Sequence, residues 1–108
     1  MTYFVARLLP PRSTFPRDMT AAEAALMAQH GAYLRALAED GTAILFGPVD
    51  DPQGPWGLGV FQVADEAAMR AITERDPIVA ARQGFSYEIL PMLQAVLSPA
   101  AFGSRPAA

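Results

Sequence analysis

TAILFGPVDDPQGPWGLGVFQV, residues 42–63, is the stretch whose reading decides the fold. TAILFG (42–47) is a short β-rich apolar run. GPVDDPQGPWG (47–57) is dense in Gly-Pro and Asp-Pro punctuation and reads as a hairpin loop, and GLGVFQV (57–63) is the returning strand. Gly57 and Gly59 leave one face of that strand's start without side chains, which signals a bulge or the close approach of a ligand or another backbone.

Helical segments flank this hairpin. Upstream, Thr20 followed three residues later by Glu23 forms a capping box, and Asp18 adds negative charge where the helix dipole favours it. The body AAEAALMAQHGAYLRALAED is rich in Ala and Leu and ends before Gly41. Leu26, His30, Tyr33 and Leu37 fall on one stripe, with Met27, Gly31, Leu34 and Ala38 beside it, so His30 lies on the buried face. Gly31 costs about 1 kcal/mol against alanine in a helix interior, and close backbone packing is the expected reason for it. Downstream, Asp65 caps DEAAMRAITERD (65–76); Asp76-Pro77 breaks that helix, and Pro77 opens a further turn that Gly84 ends.

The outermost segments are strands. TYFVARLL (2–9) sets Phe4, Ala6 and Leu8 against Tyr3, Val5, Arg7 and Leu9. Both faces are largely apolar, so both are expected to be covered. FSYEILPML (85–93) places Phe85, Tyr87 and Ile89 on one side. PPRSTFPRDM (10–19) can neither extend a strand nor open a helix early, and reads as a surface loop folded over something.

The order β-α-β-β-α-β predicts an α+β, ferredoxin-like fold, with two helices on one face of a four-stranded antiparallel sheet. The other face needs a cover. Charged residues make up 18% of the chain against about 25% in typical soluble domains, which favours burial of that face in a homodimer with stacked sheets. Residues 1–98 are expected to form the domain and 99–108 a flexible tail.

Composition removes several function classes. A net charge of −3 without a basic run argues against nucleic acid. With no cysteine and one histidine there is no disulfide, and a transition-metal site is not expected. No phosphate loop or nucleotide fingerprint is present, so no cofactor is expected. No apolar run approaches about 18 residues, and the first residues lack the pattern of a targeting signal, so the expectation is a cytoplasmic protein without membrane association.

The candidate site residues each have two readings. His30 is either an acid/base group or a core histidine donating to a backbone carbonyl. Asp76, directly before Pro77, is on local chemistry a turn or an N-cap device. Tyr33 can orient a ligand through its hydroxyl or pack in the core with a wet tip. Trp56 can roof a pocket or pack at an interface, and Arg7 can bind a carboxylate or close a salt bridge at a strand end.

In order and spacing, HGAYL (30–34), GTAILFGPV (41–49), GLGV (57–60) and Asp76-Pro77 resemble the YciI-like (YCII-related) family. So do Met19-Thr20 with Glu23, and FSYEILPM (85–92). The resemblance covers residues 3–93 and implies a dimeric α+β barrel. It also implies that His30 and Asp76 are a candidate catalytic pair. It points to cofactor-independent lyase or isomerase chemistry, elimination or isomerisation, on a small organic acid or aromatic metabolite. The alternative is a non-catalytic dimeric module that binds a small molecule. Ile78 departs from the aromatic residue that many members carry after Asp-Pro, which implies a different substrate-facing surface.

Overall fold

Period-two alternation and two capped helices build the domain. The computed structural model describes residues 1–103. Its elements are β1 (Thr2–Leu9), α1 (Ala21–Glu39), β2 (Ala43–Val49), β3 (Trp56–Val63), α2 (Glu66–Arg75), α3 (Pro77–Ala80) and β4 (Ser86–Pro91). The strands form one antiparallel sheet in the order β2-β3-β1-β4, the ferredoxin-like arrangement. Residues 99–103, expected to be tail, form a π-helical turn; residues 104–108 of that tail lie outside the described residues.

Strands β2 and β3 run further than the loop punctuation suggested, so the connection shrinks to residues 50–55. Pro48 is tolerated inside β2 because β2 is an edge strand, where a missing N–H costs no ladder bond. The register slips between Ala43 and Leu45, opposite Phe61 and Val60. This irregularity brings both Ala43 and Phe46 onto the helix-facing side although they are three residues apart. The glycines of β3 sit in regular pairing instead: Gly57 faces Leu8 and Gly59 faces Ala6.

On the helix-facing side Phe4, Ala6, Leu34, Ala43, Phe61, Val63 and Met69 form the main core. A second cluster, Leu8, Phe15, Ile78 and Phe85, extends it towards α3. Ile78 is fully buried there, in the core and outside the lining of the cavity beneath α1, rather than on a substrate-facing surface. On the opposite face Leu45, Val60, Val5 and Leu90 make an aliphatic row across all four strands, and its two ends, Leu45 and Leu90, are exposed.

The capping box of α1 is present: the Glu23 N–H donates to the Thr20 hydroxyl at 3.1 Å, and the Thr20 N–H donates to Glu23 Oε1 at 3.0 Å. Glu23 also receives a fork from Arg12, at 2.8 and 2.7 Å, and Arg12 Nε donates to Asp18 Oδ1 at 2.9 Å. Asp18 thus holds the loop as well as lying near the helix start. One guanidinium latches residues 10–19 to the N-terminus of α1. Phe15 is buried under this latch, edge-on to Phe85 with ring centroids 5.2 Å apart.

The Arg12 hydrogen bonds pull the Asp18 and Glu23 carboxyls down to about 2 from ordinary values of 3.8 and 4.5. Lowered carboxyl values mean that the latch contributes fully above about pH 4.5, and that this contribution is lost as pH falls towards 2. Arg12→Ala is therefore expected to melt below wild type at pH 7, with the gap closing between pH 4.5 and 2. Circular dichroism melts across that range check this; a gap unchanged at pH 2 refutes the latch.

Candidate active site

Three elements converge on one carboxylate. Asp76 ends α2 and N-caps α3: its Oδ1 accepts from the Ile78 N–H at 3.1 Å. Its other oxygen, Oδ2, lies 2.7 Å from His30 Nδ1 of α1 and accepts from the Tyr87 hydroxyl of β4, also at 2.7 Å. Asp76 is wholly inaccessible to solvent. An ionised carboxylate only accepts, so the proton in the His30 contact resides on Nδ1. This fixes the tautomer and leaves Nε2, which makes no hydrogen bond among the described residues, as the free basic nitrogen. Burial, then the charge of Asp76, pushes the Tyr87 phenol well above its ordinary value. Tyr87 therefore stays protonated and remains a donor.

His30 and Tyr87 open onto a cavity of about 440 Å³. Its floor is a cross-strand row, Pro48, Gly57, Leu8 and Tyr87. Met27, His30, Gly31 and Leu34 of α1 form one wall, and Phe15, Pro16 and Met19 of the latched loop another. The lining is overwhelmingly apolar, and its polar side chains besides the Trp56 indole are His30 and Tyr87. The glycines of β3 hollow the floor. A methyl group at Gly59 would sit 2.5 Å from the Phe61 ring, and one at Gly57 3.2 Å from Leu8 Cβ.

The structure distributes the five sequence candidates unequally. His30 and Asp76 are in direct contact. Trp56 reaches the cavity rim, where its indole N–H donates to Asp51 Oδ2 at 3.0 Å. Arg7 lies on the opposite sheet face from His30, and of its two readings the structure shows the salt bridge rather than a place in this cavity. It pairs with Glu88 at 2.9 Å, and its guanidinium stacks 4.4 Å from the centre of the Trp56 ring. Tyr33 is also turned away: its hydroxyl donates to the Ile72 carbonyl of α2 at 2.8 Å, because a three-residue step leaves it about 60° around α1 from His30, on the side that meets α2. Tyr87 is the residue that sequence reasoning missed. The alternation of β4 put it on one face with Phe85 and Ile89, and nothing local marked that face as the one meeting Asp76.

A buried histidine oriented by a carboxylate, set in the wall of an apolar cavity on a ferredoxin-like sheet, defines a small α+β domain built around a candidate acid/base site. The chain belongs to the YCII-related domain family, which matches residues 4–93. In fold it is similar to the 5-chloro-2-hydroxyhydroquinone dehydrochlorinase of Burkholderia phenoliruptrix AC1100, solved in complex with 2,5-dihydroxybenzoquinone. That likeness has a TM-score of 0.61 and 18% identity over 88% of this chain and 96% of that one. It is also similar to a protein of unknown function from Nitrosomonas europaea, with a TM-score of 0.50 and 19% identity over 90% and 94% of the two chains. No curated protein matches it by sequence.

Truncating Asp76 would strand three buried donors. Asp76→Ala is expected to lower stability by about 3 kcal/mol or more, and Tyr87→Phe by about 1 kcal/mol. Urea denaturation measures both. Equal losses in the two variants would contradict the central role of the carboxylate.

Proposed function

We propose that the cavity binds a small, flat, largely apolar metabolite and that His30 performs acid/base chemistry on it. The observation that carries this reading is the buried Tyr87–Asp76–His30 arrangement in the wall of an otherwise apolar cavity. His30 Nε2 takes a proton from the bound molecule. Asp76 holds the ring in place and stabilises the imidazolium that forms. In an isomerisation the proton is returned at another carbon; in an elimination the leaving group departs with its bonding electron pair. The step needs only a proton shuttle. Fold likeness to a dehydrochlorinase makes 5-chloro-2-hydroxyhydroquinone the first compound to assay.

His30→Asn is the informative variant, since its amide can still donate to Asp76 while the basic nitrogen is gone. Turnover, read as chloride release, is expected to fall by about 10²–10⁴-fold with little change in melting temperature. Wild-type turnover in this variant would remove His30 from the chemistry. A ligand that raises the wild-type melting temperature but yields no product would favour a binding module.

The same reading includes a homodimer. The row Leu45, Val60, Val5 and Leu90 is an apolar sheet face without a cover in the single chain. Two such faces stacked about 10 Å apart would bury it. Sedimentation equilibrium is expected to show a dimer at micromolar concentration, and a monomer for Leu90→Lys. A stable wild-type monomer would defeat the stacking.

A further inference from the structure

One residue after His30, α1 carries a glycine that packing does not require. Among the cavity glycines, Gly57 and Gly59 are held by close neighbours, Leu8 and the Phe61 ring, while Gly47 has only open space where a side chain would stand. Gly31 is different, and the expectation of close backbone packing there does not hold. A methyl group placed on it meets only the head of Arg35, with Nη1 at 3.3 Å and Cζ at 4.0 Å. Gly31 lines the cavity, and Arg35 lies one helical turn further along the same edge of α1. The missing side chain thus gives the exposed guanidinium of Arg35 room to lie back across Gly31, which itself lines the cavity.

Among the described residues Arg7, Arg12 and Arg70 pair with carboxylates, while Arg17, Arg35, Arg75 and Arg82 do not, and of these four Arg35 is the one whose head lies against a cavity-lining glycine on α1. Among the described residues Arg35 makes no ion pair or side-chain hydrogen bond, so its charge is available. The chain carries a net charge of −3, which repels an anion at long range, and a rim cation offsets that locally. Inside the cavity, the hydroxyl of Tyr87 and Nδ1 of His30 are committed to Asp76. Removal of a proton by His30 leaves negative charge on the ligand, and none of the cavity's lining side chains carries a fixed positive charge to meet it.

Building on the proposed acid/base site, we infer that Arg35 is the anion-recognition residue of the cavity. The ligands it selects are small planar molecules that carry a carboxylate or an ionised phenol. A guanidinium fork suits a carboxylate in a way that a neutral donor does not.

The test compares 2,5-dihydroxybenzoate with its neutral isostere 2,5-dihydroxybenzamide, titrated into the full chain. The imidazole signal of His30, the single histidine, provides the NMR readout. Wild type is expected to bind the acid about three- to five-fold more tightly than the amide at low salt, with the preference shrinking as salt is added. Arg35→Gln should erase the preference and leave amide affinity unchanged. Gly31→Ala should raise the melting temperature through helix propensity and reduce the preference by crowding the guanidinium. An acid preference that survives Arg35→Gln, or none in wild type, overturns the assignment. Acid selectivity that follows Arg35 while His30→Asn keeps full turnover sustains the anion site and sinks the catalytic reading. Loss of turnover in His30→Asn without Arg35-dependent selectivity does the reverse.

Discussion

The fold is organised around the buried carboxylate of Asp76. A charge withdrawn from solvent is costly unless every lone pair is engaged. Here the donors come from three elements: the imidazole of α1, the phenol of β4 and the first free N–H of α3. One ion therefore fixes the start of α3, the rotation of α1 above the sheet and the register at which β4 presents Tyr87. A one-residue slip of β4 would turn Tyr87 to the other face and strand the carboxylate.

The cavity follows from side-chain size. Beneath α1 the floor row offers Pro48, Gly57 and Leu8 before it reaches Tyr87, and Gly59 in the next row lets the Phe61 ring lie back along its own strand. Larger residues at these positions would bring the helix and sheet into contact and leave no space. The latched loop then closes one side with Phe15, Pro16 and Met19, held by the Arg12 guanidinium rather than by any regular element. Polar clamps outside and apolar side chains inside keep a proline-rich segment in place with little secondary structure of its own.

Element order and helix ends were legible because their signals are local: the capping box at Thr20 and Glu23, the Asp65 cap, and Pro77 after Asp76. The irregularity between Ala43 and Leu45 was not, since A-I-L-F is apolar at every position and offers no alternation to break. The capping role of Asp76 was readable from its proline neighbour. Its contact with His30 came from family resemblance, because forty-six residues separate the two and no spacing rule links them. Tyr33 shared a broad apolar stripe with His30, yet the width of that stripe spans two destinations, the cavity and α2. Arg7 stood among apolar residues on β1, and alternation alone could not say which sheet face would be hollowed.

The apolar lining sharpens what the polar groups can do. Where walls supply almost no competing hydrogen bonds, the polar groups of any bound molecule are driven towards His30 or towards the open edge. Orientation is thus imposed by exclusion as much as by attraction. The same walls lower the local dielectric, so a proton transferred to His30 is felt more strongly by Asp76 than it would be in water. Asp76 is itself kept from drifting by Tyr87 and the Ile78 N–H, so the histidine meets a carboxylate already set in place. The chemical capacity of the site depends on this arrangement: a fixed anion behind the imidazole, a free nitrogen in front of it, and little else in the cavity able to hold a proton.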